Sequence, residues 1–120
     1  MAEIGSHRDL IVWQRAMDLV ELVYAATEHF PKTEDYRLTG QITRAVVSVP
    51  ANIAEGHARA SRREYSQFLA IAQGSLMETE TLLAIAVRLH YLNDGDLAAA
   101  FSLVTEISKM LAVLRKRLAS

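Results

Sequence analysis

Apolar side chains recur at intervals of three and four through most of this 120-residue chain, and no window alternates apolar and polar residues long enough to make a strand. That period confines the chain to an all-α fold. Leu10, Trp13, Met17, Val20 and Tyr24 trace one stripe of a first helix. Asp9 is placed to cap it, and Pro31 ends it by disfavouring the helical region for Phe30. A second helix is expected from about Glu34 to Glu55, striped by Leu38, Ile42, Ala45 and Val49, with Pro50 inside it. Proline has no backbone donor and its ring opposes the Val46 carbonyl, so a kink is expected there. The alternative is a true break, with Ser48 capping a short new helix that carries Ala51, Ile53 and Ala54.

Ser61-Arg62-Arg63-Glu64 has the spacing of a capping box and opens a third helix that meets no proline before Leu92. Thirty or so residues at about 1.5 Å each make it roughly 45 Å long. Gly74-Ser75, following Ala70 and Ala72, offers small side chains where another helix can approach closely. Asn93-Asp94-Gly95-Asp96 is turn chemistry, with Asp94 or Asp96 as the next cap. Leu97, Ala100, Val104, Ile107, Leu111, Leu114 and Leu118 then form a heptad seam, which implies near-parallel packing against a neighbour. Four helices on short connections make an antiparallel up-down four-helix bundle with a long third helix and a proline-kinked second one. Residues 9–120 form its single domain, after a flexible N-terminal segment, 1–8.

Composition narrows the function classes. With zero cysteines there is no disulfide scaffold, no Cys-ligated zinc and no cysteine nucleophile. Thirteen Lys and Arg against fourteen Asp and Glu give a net charge of -1, so no global basic signal points to nucleic acid or to an anionic membrane. No charge-free stretch is long enough to span a bilayer, and the first residues lack the apolar run of a signal peptide, so a soluble cytoplasmic protein is expected. A bundle helix needs about three positions in seven for its own core. Yet 13 of the 20 residues from Leu10 to His29 are apolar, and 14 of the 22 from Leu97 to Leu118. This surplus either wraps the core more broadly or forms a second buried face. Ile11, Val12, Leu22, Leu103 and Val113 are its bulky members, and they point to homo-oligomerisation over a monomer.

Nothing in the sequence assembles catalytic chemistry. His7, His29, His57 and His90 lie far apart, without a second ligand at helical spacing. Glu55 precedes His57 at the wrong interval for a di-iron motif. There is no Gly-x-Ser-x-Gly elbow and no Gly-rich phosphate loop. Glu78 and Glu80 point in different directions on a helix and cannot share a proton; Glu78, where buried, is expected to pair with Arg44 or another cation in a structural role. No catalytic residue, metal or cofactor is therefore expected. Two local basic groups remain: Arg59, Arg62 and Arg63 at a helix start, and Arg115, Lys116 and Arg117 near a helix end. Cations near a helix end ordinarily offset the dipole, but either group also suits an anion, and an oligomer would gather them into a ring. No aromatic residues interleave with them, so stacking on single-stranded bases is not supported.

Several spaced blocks resemble one family. Asp9 to Ala16, which includes Trp13, and Phe30-Pro31 with Tyr36-Arg37-Leu38 are similar to the opening blocks of the bacterial four-helix-bundle proteins encoded in intervening sequences of 23S ribosomal RNA genes. So are Gln41 to Ala45, Ser48 to Gly56, and Phe68 to Leu76 followed by Glu78 and Glu80. The resemblance covers roughly residues 7 to 92. It implies an up-down bundle assembled as a homopentamer, with no enzymatic activity. Trp13, Gln41, Arg44, Asn52, Glu55, Gly56 and Glu78 match its motif positions and carry a structural expectation: Asn52 in a local polar network, Gly56 ending a helix. The fold also resembles that of the accessory variability determinants of diversity-generating retroelements, pentameric barrels that associate with a reverse transcriptase and nucleic acid. The expectation is a non-enzymatic homo-oligomeric scaffold or adaptor associated with RNA or an RNA-handling protein. The alternative is a reverse transcriptase accessory protein that binds nucleic acid directly through a ring of basic clusters.

Overall fold

Four α-helices carry the chain in a computed structural model that describes residues 5–120: α1 (Ile11–Thr27), α2 (Leu38–His57), α3 (Arg62–Arg88) and α4 (Ala98–Ala119). Single 3-10 turns at His7–Asp9, Lys32–Glu34 and Gly95–Leu97 lead into α1, the α2 connection and α4; among the described residues there is no strand. Of the N-terminal segment expected to be flexible, residues 1–4 lie outside the described residues, and His7 already belongs to the first turn.

Side-chain ties give the direction of each helix. Ser48 meets Ser75 across α2 and α3 (Oγ to Oγ 2.8 Å), and Gly56 lies against Tyr65 and Phe68. Gln73 reaches Ser108, Ser66 meets Arg115, and Arg62 meets Ser120 across α3 and α4. In each series one number rises as the other falls, so neighbouring helices run antiparallel. Arg15 to Glu106, and Ile11 beside Val113, repeat the relation between α1 and α4. The up-down bundle follows, drawn out to 45 × 25 × 21 Å.

The buried stripes show which of the available periods the fold uses. In α2 they are the expected Leu38, Ile42, Ala45 and Val49, joined by Val46 and Ile53. In α4, Ala100, Val104, Ile107 and Leu111 are buried, with Leu114 and Leu118 packed partly against the core. The segment Gly95–Ala119 is long and apolar enough to cross a membrane by length and composition; in this fold that seam closes the bundle. The α1 expectation needs correction. Its core stripe is Val12, Ala16, Leu19, Val23 and Ala26, one position away from the expected one. Met17 and Tyr24 are 40% and 47% exposed, and Leu10, Trp13 and Val20 are half-buried. The helix is apolar around more than half its circumference, so its period offers two stripes, and packing selects the narrower side chains.

Helix ends also differ from the sequence reading. Asp9 does not cap α1; its carboxylate accepts from the Gly5 and Ser6 backbone N–H groups and closes the turn before it. α2 starts at Leu38, four residues later than expected, because Lys32–Glu34 takes a separate turn. It then runs through Pro50 as one helix, and the break at Ser48 does not occur. Pro50 leaves the Val46 carbonyl without its helical donor, and beside it Asn52 Nδ2 donates to both the Ser48 carbonyl and hydroxyl, each at 2.8 Å. Ser61 caps α3 by accepting from Glu64 N–H at 3.1 Å, one half of the expected box. α3 stops at Arg88 and not Leu92: His90 takes a left-handed φ of 63°, while its N–H bonds Val87 O and that of Tyr91 bonds Ala86 O. Before α4, neither Asp94 nor Asp96 caps the helix; Asn93 and Asp96 cap the turn reciprocally, backbone to side chain, at 2.8 and 3.1 Å.

Gly56 and Gly74 both depart from their expected roles. Gly56 does not end α2; it is buried within the last turn, where a Cβ would lie 2.8 Å from Phe68 Cβ and 3.1 Å from Tyr65 Cδ1. Gly74 is exposed, with nothing within 4 Å of a Cβ, and the close approach belongs to its neighbour Ser75. Opposite outcomes are expected in urea unfolding. Gly56→Ala forces α2 from α3 and costs about 2–3 kcal/mol. Gly74→Ala gains about 0.5–1 kcal/mol from helix propensity alone.

Candidate functional site

The antiparallel register of α3 and α4 unites cations more than fifty residues apart. Arg62 and Arg63, at the start of α3, and Arg115, near the end of α4, line one open cleft of about 500 Å³ together with Ser66, Gln67 and Leu118. None of the three arginines has a side-chain carboxylate partner among the described residues. Arg62 Nη1 donates to the Ser120 carbonyl at 3.0 Å, and Arg115 Nε donates weakly to Ser66 Oγ at 3.5 Å. The first-turn N–H groups of α3 add partial positive charge beside them. The other three expected cations are placed differently. Arg59, in the connection after α2, is held 2.9 Å from Glu55 Oε1 in the last turn of that helix, and lies 4.7 Å from the Phe68 ring centre. Arg117 lines a different cleft, against α1, and Lys116 lies at neither.

The family-like motif of α2 and α3 builds a polar seam. Ser48, Asn52 and Ser75 form the network expected for Asn52, and fully buried Thr79 donates to Ser75 O at 2.8 Å. Gln41, Arg44 and Glu78 line the surface notch above it. The expected Arg44–Glu78 ion pair does not form: Glu78 is exposed, and the Arg44 guanidinium lies beside Gly40, 3.3 Å from where a Cβ would stand. Trp13 takes the His7 ring edge-on at 5.1 Å. Sequence reading missed the serine pair, because two serines 27 positions apart signal nothing until the register is known. It also missed Tyr91, whose hydroxyl donates to Glu34 Oε2 at 2.7 Å; that bond, then burial, holds the phenol above its ordinary pKa. Among the described residues no cluster of three His, Asp or Glu side chains is placed to hold a metal.

The surplus apolar residues gather mainly between α1 and α4. Ile11 is 58% exposed and Val113 50%, and both line a cleft with Leu10, Met110 and Leu114, flanked by Lys109 and Arg117. Leu22 and Leu103 are half-buried against the core. Val12 belongs to the core itself at 6% exposure, which removes it from the list of surface residues.

Comparison with known proteins reaches the same fold. A family model described as 23S rRNA-intervening sequence protein matches residues 8–113. The crystal structure of a protein of unknown function from the S23 ribosomal protein family of Bacteroides thetaiotaomicron superposes with a TM-score of 0.79. It is 26% identical, over 88% of this chain and 99% of that one. No curated protein matches.

The serine pair has a measurable worth. In a double-mutant cycle of Ser48→Ala and Ser75→Ala, read by urea unfolding, the coupling is expected to be about 1 kcal/mol. A coupling near zero would show that the two hydroxyls do not depend on each other.

Proposed function

The chain belongs to the 23S rRNA-intervening sequence protein family, and from that premise we propose that it is a non-enzymatic helical scaffold that works in the cytoplasm as a closed homo-oligomer. A pentamer is the stoichiometry that the sequence resemblance implies, and RNA or an RNA-handling protein is the partner class. The observation that carries this reading is the α1–α4 face. Large apolar side chains that a monomer gains nothing by exposing stand together there, on rigid helices and with a cation at each side.

The charge on that face favours a ring over a two-fold dimer. Lys109 and Arg117 flank the cleft and no carboxylate lines it. A two-fold contact would press the same cationic patch against itself, whereas a head-to-tail contact sets it against a different face of the next copy. The α2–α3 side is the candidate for that role, with exposed Ile71 on α3 and exposed Glu78 two turns further along it, at the notch that Arg44 also lines. Head-to-tail contacts close into a ring where the rotation between neighbours divides a full turn without a rise, and otherwise run on as an open helix. The polar seam, in a sequence without a Gly-x-Ser-x-Gly elbow or a Gly-rich phosphate loop, fits a structural part better than a catalytic one.

Sedimentation tests the reading. The unaltered protein is expected to sediment as a multimer over a wide concentration range. Ile11→Asp with Val113→Asp is expected to release single chains of 13.3 kDa with unchanged helical content, since both positions are half or more exposed in the single chain. An unaltered protein that sediments as one chain, or variants that stay assembled, would overturn it.

A further inference from the structure

We infer that the cleft between the start of α3 and the end of α4 binds the phosphate backbone of duplex nucleic acid, with Arg62, Arg63 and Arg115 as its three cations. The inference rests on the RNA partner class proposed above and not on the assembly, since a single chain presents the cleft.

Charge distribution is the first support. The near-zero net charge hides a polarity along the 45 Å axis. At the end formed by residues 5–10, 55–66 and 113–120 there are seven Lys and Arg against three Asp and Glu. At the opposite end, residues 24–38 and 85–98, there are three against five. The chain therefore approaches a polyanion with one end forward, as long-range steering requires.

Availability is the second support. An arginine committed to a carboxylate adds little to an anion site, and Arg59 is excluded for that reason. Arg62, Arg63 and Arg115 have no side-chain carboxylate partner among the described residues, Arg62 being tied only to the main-chain oxygen of Ser120, and the remaining lining of their cleft is neutral. Ser66 and Gln67 add a hydroxyl and an amide donor, both suited to phosphate oxygens. Guanidinium groups offer paired N–H donors that match a phosphate edge.

The lining also selects among polyanions. No aromatic side chain lines the cleft, so it offers no platform for an unstacked base, and recognition falls on the backbone, as in duplex binding. A lipid surface would call for a large apolar or aromatic side chain at the rim to enter the headgroup layer; the cleft offers only half-buried Leu118 and the small Ala70 and Ala119.

The test is a salt titration of binding to an RNA duplex of about 20 base pairs, run in parallel with phosphatidylglycerol vesicles. The unaltered protein is expected to bind the duplex at low salt and to weaken steeply as salt rises. Replacing Arg62, Arg63 and Arg115 by Gln should lower affinity at least roughly tenfold and flatten the salt slope by about one unit per arginine. Arg→Lys at the same three sites should keep most of the slope, because charge is retained. Lys116→Gln, a cation of the same helix end that lines neither cleft, should change affinity by less than about threefold. Thermal unfolding of each variant confirms that it is folded. Absence of duplex binding at low salt, equal losses in the two Gln variants, or vesicle binding through the three arginines in place of duplex binding would each overturn the inference. Sedimentation of the same samples separates these results from a failure of assembly.

Discussion

The register of α3 against its two neighbours is the constraint on which the rest of the molecule depends. α3 lies between α2 and α4, and each contact is pinned at a few points. Gly56 lets α2 come within a distance that no side chain would allow, and Ser48 with Ser75 locks the same pair two turns further on. Gln73 with Ser108 does the corresponding work toward α4. A slip of one turn would move partners by about 5.4 Å. It would part Arg115 from Arg62 and drive a larger side chain into the place of Gly56. Polar ties of this kind add modest stability, but they discriminate between registers that a uniformly apolar seam would leave nearly degenerate.

Much of the fold is legible in the sequence because its strongest signals have one reading. The α2 stripe, the α4 seam and the Ser61 cap each agree with the packed structure, and in all three the apolar pattern is narrow or the capping residue unambiguous. α1 is different. It carries two apolar stripes side by side, and nothing local tells Val12, Ala16, Leu19 and Val23 from Trp13, Met17, Val20 and Tyr24. Size and regularity favour the second set on paper, while the space between α2 and α4 takes the first. Helix ends were misplaced for another reason. Asp9, Asp94 and Asp96 have the chemistry of caps, but 3-10 turns consume them or pass them by before the helix begins.

The candidate site was legible as residue types and not as a place. Both basic groups stand out in the sequence, yet only the antiparallel pairing of α3 with α4 shows that Arg62, Arg63 and Arg115 share a cleft. It also shows that Arg59 is already engaged with Glu55. Ile11 and Val113, about one hundred positions apart, meet on one face by the same topology. Averages conceal both features. A charge of -1 covers a basic end and an acidic end, and an apolar content of 51% covers a core and a second face.

These two features fit together physically. Copies joined through their sides in a cyclic assembly point the same way, so one rim would collect the basic end of every subunit. A modest cleft on one chain would become a repeated, multivalent surface, and a chain of almost neutral charge would present a strongly cationic rim. The mass of the unaltered protein, measured by native mass spectrometry, tests this account most directly. The account predicts one dominant closed assembly, five times the 13.3 kDa chain, without a ladder of intermediate sizes. A spectrum of single chains, or an open-ended ladder of sizes, would contradict it.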